Sequence, residues 1–173
     1  MPETIVIRRM QAADLGDYKA LRDGMLAAHA DAFTSDAATE SGRKASSYLP
    51  RLGLDRHDGG HFTLGAWSGE RLCGVLSCER DPRLKVRHIG HLAGMMVAPE
   101  VRGAGIGRLL LQACLNEARQ ASGLELLTLS VTAGNLPAER LYAQAGFVRY
   151  GSLPHAIKLG DTYHDKHLMM LAL

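Results

Sequence analysis

The stretch VAPEVRGAGIGRLLLQA, residues 97–113, joins a strand-like run to a helix-like run through three alternate glycines. The apolar residues after Gly105 recur at the spacing of one helical face, which predicts an amphipathic helix. The first turn of a helix presents unpaired backbone N–H groups and the positive end of the helix dipole. Glycines at 103, 105 and 107 leave that main chain bare, so this junction is typical of a phosphate-binding turn.

Spacing decides among the known phosphate motifs. The dinucleotide fingerprint requires a glycine at the sixth position counted from Gly103, where this chain has Arg108. The P-loop requires Gly-Lys-Ser or Gly-Lys-Thr, and neither sequence occurs. A plain strand-to-helix turn is the alternative, although one glycine would suffice for it. The pattern therefore favours an anion-binding turn of another class, with Arg102 and Arg108 adding positive charge.

The run VRHIGHLAGMMV at 86–97 predicts a long strand, and LELLTLSV at 124–131 predicts another. With the helix between them they form a βαβ unit, whose two strands are parallel. Gly90 and Gly94 interrupt the first strand, and glycine inside a strand marks a bulge or a close backbone approach.

The remaining elements flank this unit on both sides. The region 31–60 is dominated by small, polar and charged residues and predicts mostly loop. The other predicted elements are a strand at 4–9, a helix from after Asp14 to near His29, a helix around Glu40 to Leu52, a hairpin of 61–67 with 71–80, a helix at 136–145 begun by Asn135 and stopped by Gly146, and two closing strands.

Composition excludes several classes of function. The 173 residues carry twenty basic and eighteen acidic side chains, so the chain lacks the concentrated positive field of nucleic-acid binders. The longest apolar stretch, 92–98, is far shorter than the roughly 18 residues that span a membrane. Three cysteines in no metal-ligand spacing favour a reducing cytoplasm. The length predicts one domain.

Paired histidines do not predict a metal site. His88 and His91 are three residues apart, as are His164 and His167. Both pairs lie in predicted strands, where positions i and i+3 point to opposite faces. We therefore expect no metal ion in the site.

Two segments resemble one family. VAPEVRGAGIGRLLL resembles motif A of the GCN5-related N-acetyltransferases (GNAT), in which Arg or Gln is followed by x-x-Gly-x-Gly/Ala, here Arg102, Gly105 and Gly107. NLPAERLYAQAGF at 135–147 is similar to motif B of the same family. The resemblance implies a mixed α/β fold. It implies one N-acetyltransferase domain over 1–173, with a mostly antiparallel central sheet, a splayed parallel pair of fourth and fifth strands, and flanking helices.

The resemblance also implies acetyl-CoA as cofactor. The backbone amides of the glycine turn would hold the pyrophosphate, and the main chain of 95–97 would pair with the pantetheine arm like an added strand. Core packing is the alternative role for the side chains of Met95 and Met96, and helix capping explains Asn135 equally well. The cofactor-binding residues implied are Met95, Met96, Val97, Arg102, Gly103, Ala104, Gly105, Ile106, Gly107, Arg108, Asn135 and Tyr142.

The same resemblance suggests catalytic roles. Tyr142 would protonate the departing thiolate, unless it only packs. The family places the general base at one of two positions. The first holds Ser130 here, and a serine hydroxyl is not basic enough to accept the proton. The second holds His91, which could accept a proton directly or through water. Glu79 is the reserve candidate.

The predicted reaction is direct transfer of the acetyl group to an amine of a small molecule or a protein, without a covalent enzyme intermediate. An acyl-CoA-binding sensor that has lost turnover is the alternative, because Ser130 replaces a base. The acceptor stays open: Asp31, Asp36 and Glu40 either attract a cationic amine or are solvated surface. A homodimer through the terminal strands is a further possibility that the resemblance raises.

Overall fold

The structure, a computed structural model that describes residues 4–173, contains a seven-stranded sheet with helices on both faces. Its strand order is β1-β2-β3-β4-β5-β7-β6. Among these described residues, no helix is long and apolar enough to cross a membrane. The strands are β1 Ile5–Arg9, β2 Phe62–Ser68, β3 Arg71–Arg80, β4 Ile89–Val97, β5 Leu126–Thr132, β6 Val148–Leu159 and β7 Thr162–Ala172. The α-helices are α1 Leu15–Ala28, α2 Ala37–Ser41, α3 Ile106–Gln120 and α4 Leu136–Gln144.

The fourth and fifth strands form the parallel pair that the sequence predicts. They pair at Ile89↔Leu126, Gly90↔Leu127 and His91↔Thr128, whereas every other neighbouring pair in the sheet is antiparallel. Beyond these three pairs the two strands diverge towards their carboxyl ends and leave a gap in the sheet. The mixed α/β fold with a splayed parallel pair is therefore confirmed.

Alternation along β5 divides the molecule into two faces. Leu127, Leu129 and Val131 are buried in the core that α3 and α4 share with the sheet. The intervening residues, Thr128 and Ser130, point to the opposite face. A second core lies on that face, where α1 packs on the sheet. Polar β5 side chains therefore line the side of the gap that faces α1.

Gly94 forms a β-bulge in β4. The register with β3 passes from Ser77↔Ala93 to Val75↔Met96, so that Gly94 and Met95 together lie opposite a single residue of β3. Gly94 has φ +62°, a conformation that glycine adopts readily. The bulge changes the phase of the alternation, which puts the Met95 side chain against the α3 core and the Met96 side chain in the α1 core.

Gly90 has the other role of a glycine within a strand, which is to let neighbouring side chains approach the backbone closely. A Cβ atom built on it would lie 2.9 Å from Cδ2 of Leu127 and 3.1 Å from Sγ of Cys78. Gly90 therefore lets β4 pack tightly at the vertex where the parallel pair closes.

Two predicted boundaries were wrong. β4 begins at Ile89 rather than at residue 86, because the preceding residues form a turn in which the Val86 N–H donates to Arg83 O at 3.0 Å. The buried guanidinium of Arg80 fixes this turn by donating to the carbonyl oxygen of Arg87. That carbonyl is consequently not free for a strand ladder.

The helix predicted around Glu40 to Leu52 is two shorter elements. α2 starts at its N-cap Asp36, whose Oδ1 accepts from the Thr39 N–H at 2.8 Å, and ends at Gly42. A 3₁₀ helix follows at Ala45–Leu52 and contains Pro50. Proline lacks the N–H that a continuous α-helix needs, which explains the tighter form.

Candidate active site

The gap between β4 and β5 opens into a cavity of about 1110 Å³. Met96 and Ala104 do not lie on its wall: Met96 is buried in the α1 core, and Ala104 is exposed. His91 and all the other residues that the resemblance implies for cofactor binding do. They are His91, Met95, Val97, Arg102, Gly103, Gly105, Ile106, Gly107, Arg108, Asn135 and Tyr142.

The glycine turn leaves the start of α3 open to the cavity. Gly103 and Gly105 have φ values of +81° and +76°, and Gly105 is the N-cap, so no side chain caps the helix. The first N–H of this helix with an acceptor belongs to Leu109, which donates to Gly105 O at 3.1 Å. Within residues 4–173, the N–H groups of 106–108 have no protein acceptor. These donors are the arrangement that an anion requires.

No protein atom fills the space above the turn. A Cβ atom on Gly103 would have no heavy atom within 4 Å, and one on Gly105 would meet only the Arg108 guanidinium, at 3.8 Å. Gly107 is different, because its Cβ would lie 3.4 Å from Cδ2 of Leu141. The first two glycines thus keep a concave surface bare, and the third allows α3 to approach α4.

Arg102 connects this turn to the end of α1. Its Nη2 atom lies 2.5 Å from Nε2 of His29, the C-cap residue of α1. A guanidinium only donates, so Nε2 of His29 is the acceptor in this contact.

Tyr142, on α4, lies on the cavity wall. Its side chain is buried, and its ring meets that of Phe147 edge-on with 5.9 Å between centroids. Its hydroxyl donates to Sδ of Met95 at 3.7 Å, a weak acceptor on the bulged strand. Burial, with a smaller contribution from Cys114, raises the pKa of Tyr142 to about 12. The phenol is therefore protonated throughout the physiological pH range and is available as a donor.

His91 lies at the vertex of the gap, where the ring reaches the cavity. Its Nδ1 atom is 3.0 Å from Oγ1 of Thr128, and that hydroxyl in turn donates to Gly90 O at 3.5 Å. When Thr128 Oγ1 donates to Gly90 O, it accepts from Nδ1–H of His91, and this tautomer leaves the lone pair on Nε2. Partial desolvation lowers the pKa of His91, and the charge of Lys166 lowers it further, against an opposing contribution from Glu79. A neutral imidazole suited to accept a proton results.

The other candidates for the base are placed less favourably. Glu79 lies opposite His91 on β3, but its Oε1 atom is 3.1 Å from Nε of Arg51, and it is not on the cavity wall. Ser130 is on the wall and offers only a hydroxyl. Of these three side chains, His91 combines access with basicity.

Asn135 has a structural task. Its Oδ1 atom accepts from the Ala138 N–H at 3.4 Å, so it is the N-cap of α4, as one of its two interpretations predicts. It also lies on the cavity wall, which leaves its amide nitrogen as a donor for a ligand.

A family model described as acetyltransferase (GNAT) family matches residues 23–147. The chain belongs to this family. A GNAT acetyltransferase structure from Streptococcus pneumoniae superposes with a TM-score of 0.84 at 26% identity, over 98% of this chain and all of that one. The structure of yncA from Salmonella typhimurium, solved with its cofactor acetyl-CoA, has the same fold, with a TM-score of 0.82 at 21% identity over 98% of this chain and 94% of that one.

Curated relatives are similar over part of their length. A mycothiol acetyltransferase of Thermomonospora curvata is 34% identical over 64% of this chain and 43% of its own length. N-alpha-acetyltransferase 30 of Schizosaccharomyces pombe is 29% identical over 56% of this chain and 64% of its own length. The chain thus spans less than half of that mycothiol enzyme.

The GNAT cavity has a second wall, on the α1 face, that the sequence did not reveal. An ion pair between Arg22 Nε and Glu40 Oε2, 2.9 Å apart, is buried beside it. Glu40 also accepts from the Tyr48 hydroxyl at 2.6 Å and from Arg43 at 3.1 Å. Burial alone would raise the pKa of Glu40, but the hydrogen bonds from Tyr48, Arg22 and Arg43 outweigh it and hold the pKa at about 2. Both sequence-based roles for Glu40, attracting an amine or solvated surface, were wrong.

The segment between α1 and α2 closes this wall. Thr132 Oγ1 donates to Asp31 O at 2.8 Å, and Lys166 Nζ donates to Thr34 Oγ1 at 2.6 Å. Through these two contacts β5 and β7 hold the segment at the cavity, which Asp31 and Thr34 line. Sequence periodicity gives no signal for Lys166, because it lies in a strand whose charged and apolar residues do not separate by face.

Proposed function

We propose that this chain is an acetyl-CoA-dependent N-acetyltransferase that transfers the acetyl group directly to an amine of a small molecule or a protein. We propose further that its 173 residues act as one N-acetyltransferase domain. The observation that carries the proposal is the uncapped start of α3, with three N–H groups aimed at an open cavity that continues into the splayed gap. Membership of the acetyltransferase family supports the same reaction.

The residues present fit coenzyme A. In our proposal the N–H groups of 106–108 hold its diphosphate, and Arg102 and Arg108 neutralise the charge. The pantetheine arm lies in the gap, where the main chain of Met95 and Val97 replaces part of the missing strand pairing. A volume of about 1110 Å³ exceeds the usual range for one small ligand, roughly 300–1000 Å³. Cofactor and acceptor therefore have room to occupy the site together.

Bound acetyl-CoA would supply a thioester whose carbonyl carbon is open to attack. The acceptor nitrogen forms the new C–N bond to that carbon and loses a proton to Nε2 of His91, directly or through one water. When the C–S bond breaks, the Tyr142 hydroxyl donates a hydrogen bond and then its proton to the departing sulfur. The products are an acetamide and free coenzyme A, and solvent returns the proton from His91 to Tyr142.

The alternative, a sensor that binds acyl-CoA without turnover, is favoured by one observation, the hydroxyl of Ser130 at a position where relatives of known chemistry place a base. A thiol-release assay with acetyl-CoA and a pool of amines distinguishes the two, with binding of acetyl-CoA measured by calorimetry in parallel. An enzyme releases thiol in proportion to the amine added. Binding with thiol release no faster than background hydrolysis would remove the enzymatic proposal and leave the sensor.

We also propose a cellular compartment and an oligomeric state. A reducing compartment such as the cytoplasm suits Cys73, Cys78 and Cys114, all of which are buried and unpaired. A homodimer would use β6, an edge strand of the sheet, on which Val148 and Leu153 are exposed. Sedimentation of the purified chain tests the oligomeric state.

A further inference from the structure

The second wall of the cavity, on the α1 face, is positively charged. Among the described residues that line the whole cavity, Asp31 is the single carboxylate, and it lies in an exposed turn. Three cationic side chains line the cavity away from the cofactor turn: Arg22, Arg51 and Lys166. An acceptor that enters from this face therefore meets more positive than negative charge.

The two arginines already have acidic partners. Arg22 pairs with Glu40 at 2.9 Å in a buried contact. Arg51 pairs with Glu79 at 3.1 Å and donates to the Tyr18 hydroxyl at 3.0 Å. Their charges are therefore largely balanced within the protein.

Lys166 has no such partner. Within residues 4–173, no carboxylate lies within 4.0 Å of its Nζ atom, and its one hydrogen bond goes to the hydroxyl of Thr34 at 2.6 Å. Partial burial lowers the pKa of Lys166, because desolvation disfavours the ammonium. An ammonium retained under these conditions is suited to a ligand that brings the negative charge.

Its position joins Lys166 to the reacting centre. Lys166 pairs with Thr132 across β5 and β7, on the face of β5 that Thr128 and Ser130 also share. Lys166 and His91 both line the cavity, and the charge of Lys166 contributes to the lowered pKa of His91. An anion on Lys166 would therefore lie in the same cavity as the nitrogen that His91 deprotonates.

We propose that the acceptor is an amine that also carries a carboxylate, as an amino acid does, and that Lys166 binds the carboxylate while His91 faces the amine. The inference rests on the proposed function and names its substrate class. A polyamine or a lysine-rich peptide would bring cationic groups against Lys166, where like charges repel. The hydroxyl of Thr34, already directed at Nζ, offers a second contact to the carboxylate.

The test uses matched sets of amines with acetyl-CoA and the thiol-release readout. Each set contains an amino acid, its carboxamide, the corresponding amine without the carboxyl group, and an aminoalkyl phosphate of similar length. Because the carboxamide has the less basic and more readily deprotonated amine, intrinsic reactivity works against the expected preference. We expect kcat/KM for the amino acid to exceed that for the carboxamide by at least about 10-fold, as loss of one charge-assisted contact costs about 1.5–3 kcal/mol. The phosphate arm shows whether the anion is specifically a carboxylate.

Variants assign the preference to Lys166. Lys166→Met should raise KM for the amino acid about 10- to 100-fold and abolish the discrimination against the carboxamide, with KM for acetyl-CoA unchanged. Lys166→Arg should restore part of the preference. Lys85→Met, at an exposed position in the turn before β4 and away from the cavity, is the matched control and should change nothing.

The possible failures are distinguishable. Equal or better turnover of the carboxamide, the plain amine or the phosphate, or discrimination that survives Lys166→Met, would overturn the substrate class and leave the acetyltransferase in place. Absence of turnover with every amine, while acetyl-CoA binds, would remove the proposed function and this inference together.

Discussion

The two walls of the cavity differ in the atoms that line them, which are main-chain atoms in one wall and side-chain atoms in the other. The wall that we propose for the cofactor is main chain: the glycines at 103 and 105 and the N–H groups of 106–108, which have no acceptor within residues 4–173, all in one continuous stretch. The α1 wall is made of side chains, Arg51, His91 and Lys166 among them, from elements far apart in the chain. A main-chain site requires a particular local sequence, whereas a side-chain site can be assembled from any elements that the fold brings together. One wall is consequently constrained by its ligand, and the other is free to vary with the acceptor.

The largest effect should come from placing a carboxylate on the main-chain wall. In Gly105→Asp the new side chain projects into open space with φ +76° at its backbone, so that it enters the proposed phosphate position without colliding with protein. We expect affinity for acetyl-CoA to fall about 10³-fold, because the N–H donors are blocked and like charges repel. Isothermal calorimetry with acetyl-CoA measures it.

The matched control is Gly160→Asp. Gly160 also has a positive φ, +58°, and open space around its Cβ position, but it lies in the β6–β7 turn away from the cavity. It should bear the same backbone strain, about 1–2 kcal/mol, with no change in affinity. Unchanged affinity in Gly105→Asp would refute the phosphate assignment and with it the contrast between the two walls.

The main-chain wall could be predicted from sequence, whereas the side-chain wall could not. The glycine turn, the βαβ unit and the hairpin were readable because each depends on residues adjacent in the chain. Gly94 inside a strand predicts a bulge or a close backbone approach, but sequence alone does not show that the bulge turns Met95 towards Tyr142 and Met96 into the other core. That outcome depends on the register with β3, which neighbouring residues do not encode.

The α1 wall was beyond sequence reasoning for a physical reason. Glu40 looks like a surface carboxylate because its partners Arg22 and Tyr48 belong to other elements, 18 and 8 residues away. Lys166 looks like an ordinary strand lysine until Thr34, 132 residues away in sequence, is brought beside it. Burial and pairing of charged groups are properties of the tertiary fold.

The next largest effect tests the chemistry at the junction of the two walls. Tyr142→Phe removes the hydroxyl and keeps the ring that packs on Phe147, so the fold should be retained. We expect kcat to fall about 10²-fold with little change in affinity for acetyl-CoA, since a positioned acid contributes at least that much. Steady-state kinetics and calorimetry on the same preparation separate the two quantities. Equal kcat for the two enzymes over the whole pH range would remove the acid role.

Glu40→Gln tests whether the α1 wall can be damaged alone. Loss of the charge that pairs with buried Arg22 should destabilise the fold by about 3 kcal/mol and raise KM for the acceptor about 10-fold. The affinity for acetyl-CoA should stay within about twofold, because the main-chain wall makes no contact with this network.

Tyr48→Phe removes one hydrogen bond to Glu40 and should have the same selective effect, with a loss of about 1 kcal/mol in the free energy of unfolding. Equal losses of acetyl-CoA and acceptor affinity would contradict the independence of the walls.

The pKa of Glu40 also predicts in which direction the free energy of unfolding changes with pH. The folded pKa of Glu40, about 2, lies below its unfolded value, about 4.3. Its stabilising contribution is therefore complete above pH 4.3 and is lost as the pH falls towards 2. Wild-type protein should lose more stability than Glu40→Gln between pH 5 and pH 2 in denaturant titrations.

The smallest effect concerns the base. If His91 accepts the proton, kcat/KM falls on the acid side as the imidazole is protonated, with a midpoint below the ordinary value for histidine, about 6.5. The Glu79 carboxylate, opposite on β3, favours the protonated ring. Glu79→Gln should therefore move this midpoint to lower pH, and the release of Arg51 from its ion pair acts in the same direction. His91→Gln should abolish the acid limb, and adding Glu79→Gln to it should produce no further shift. A midpoint that moves upward in Glu79→Gln, or an acid limb that survives His91→Gln, would assign the proton to another group.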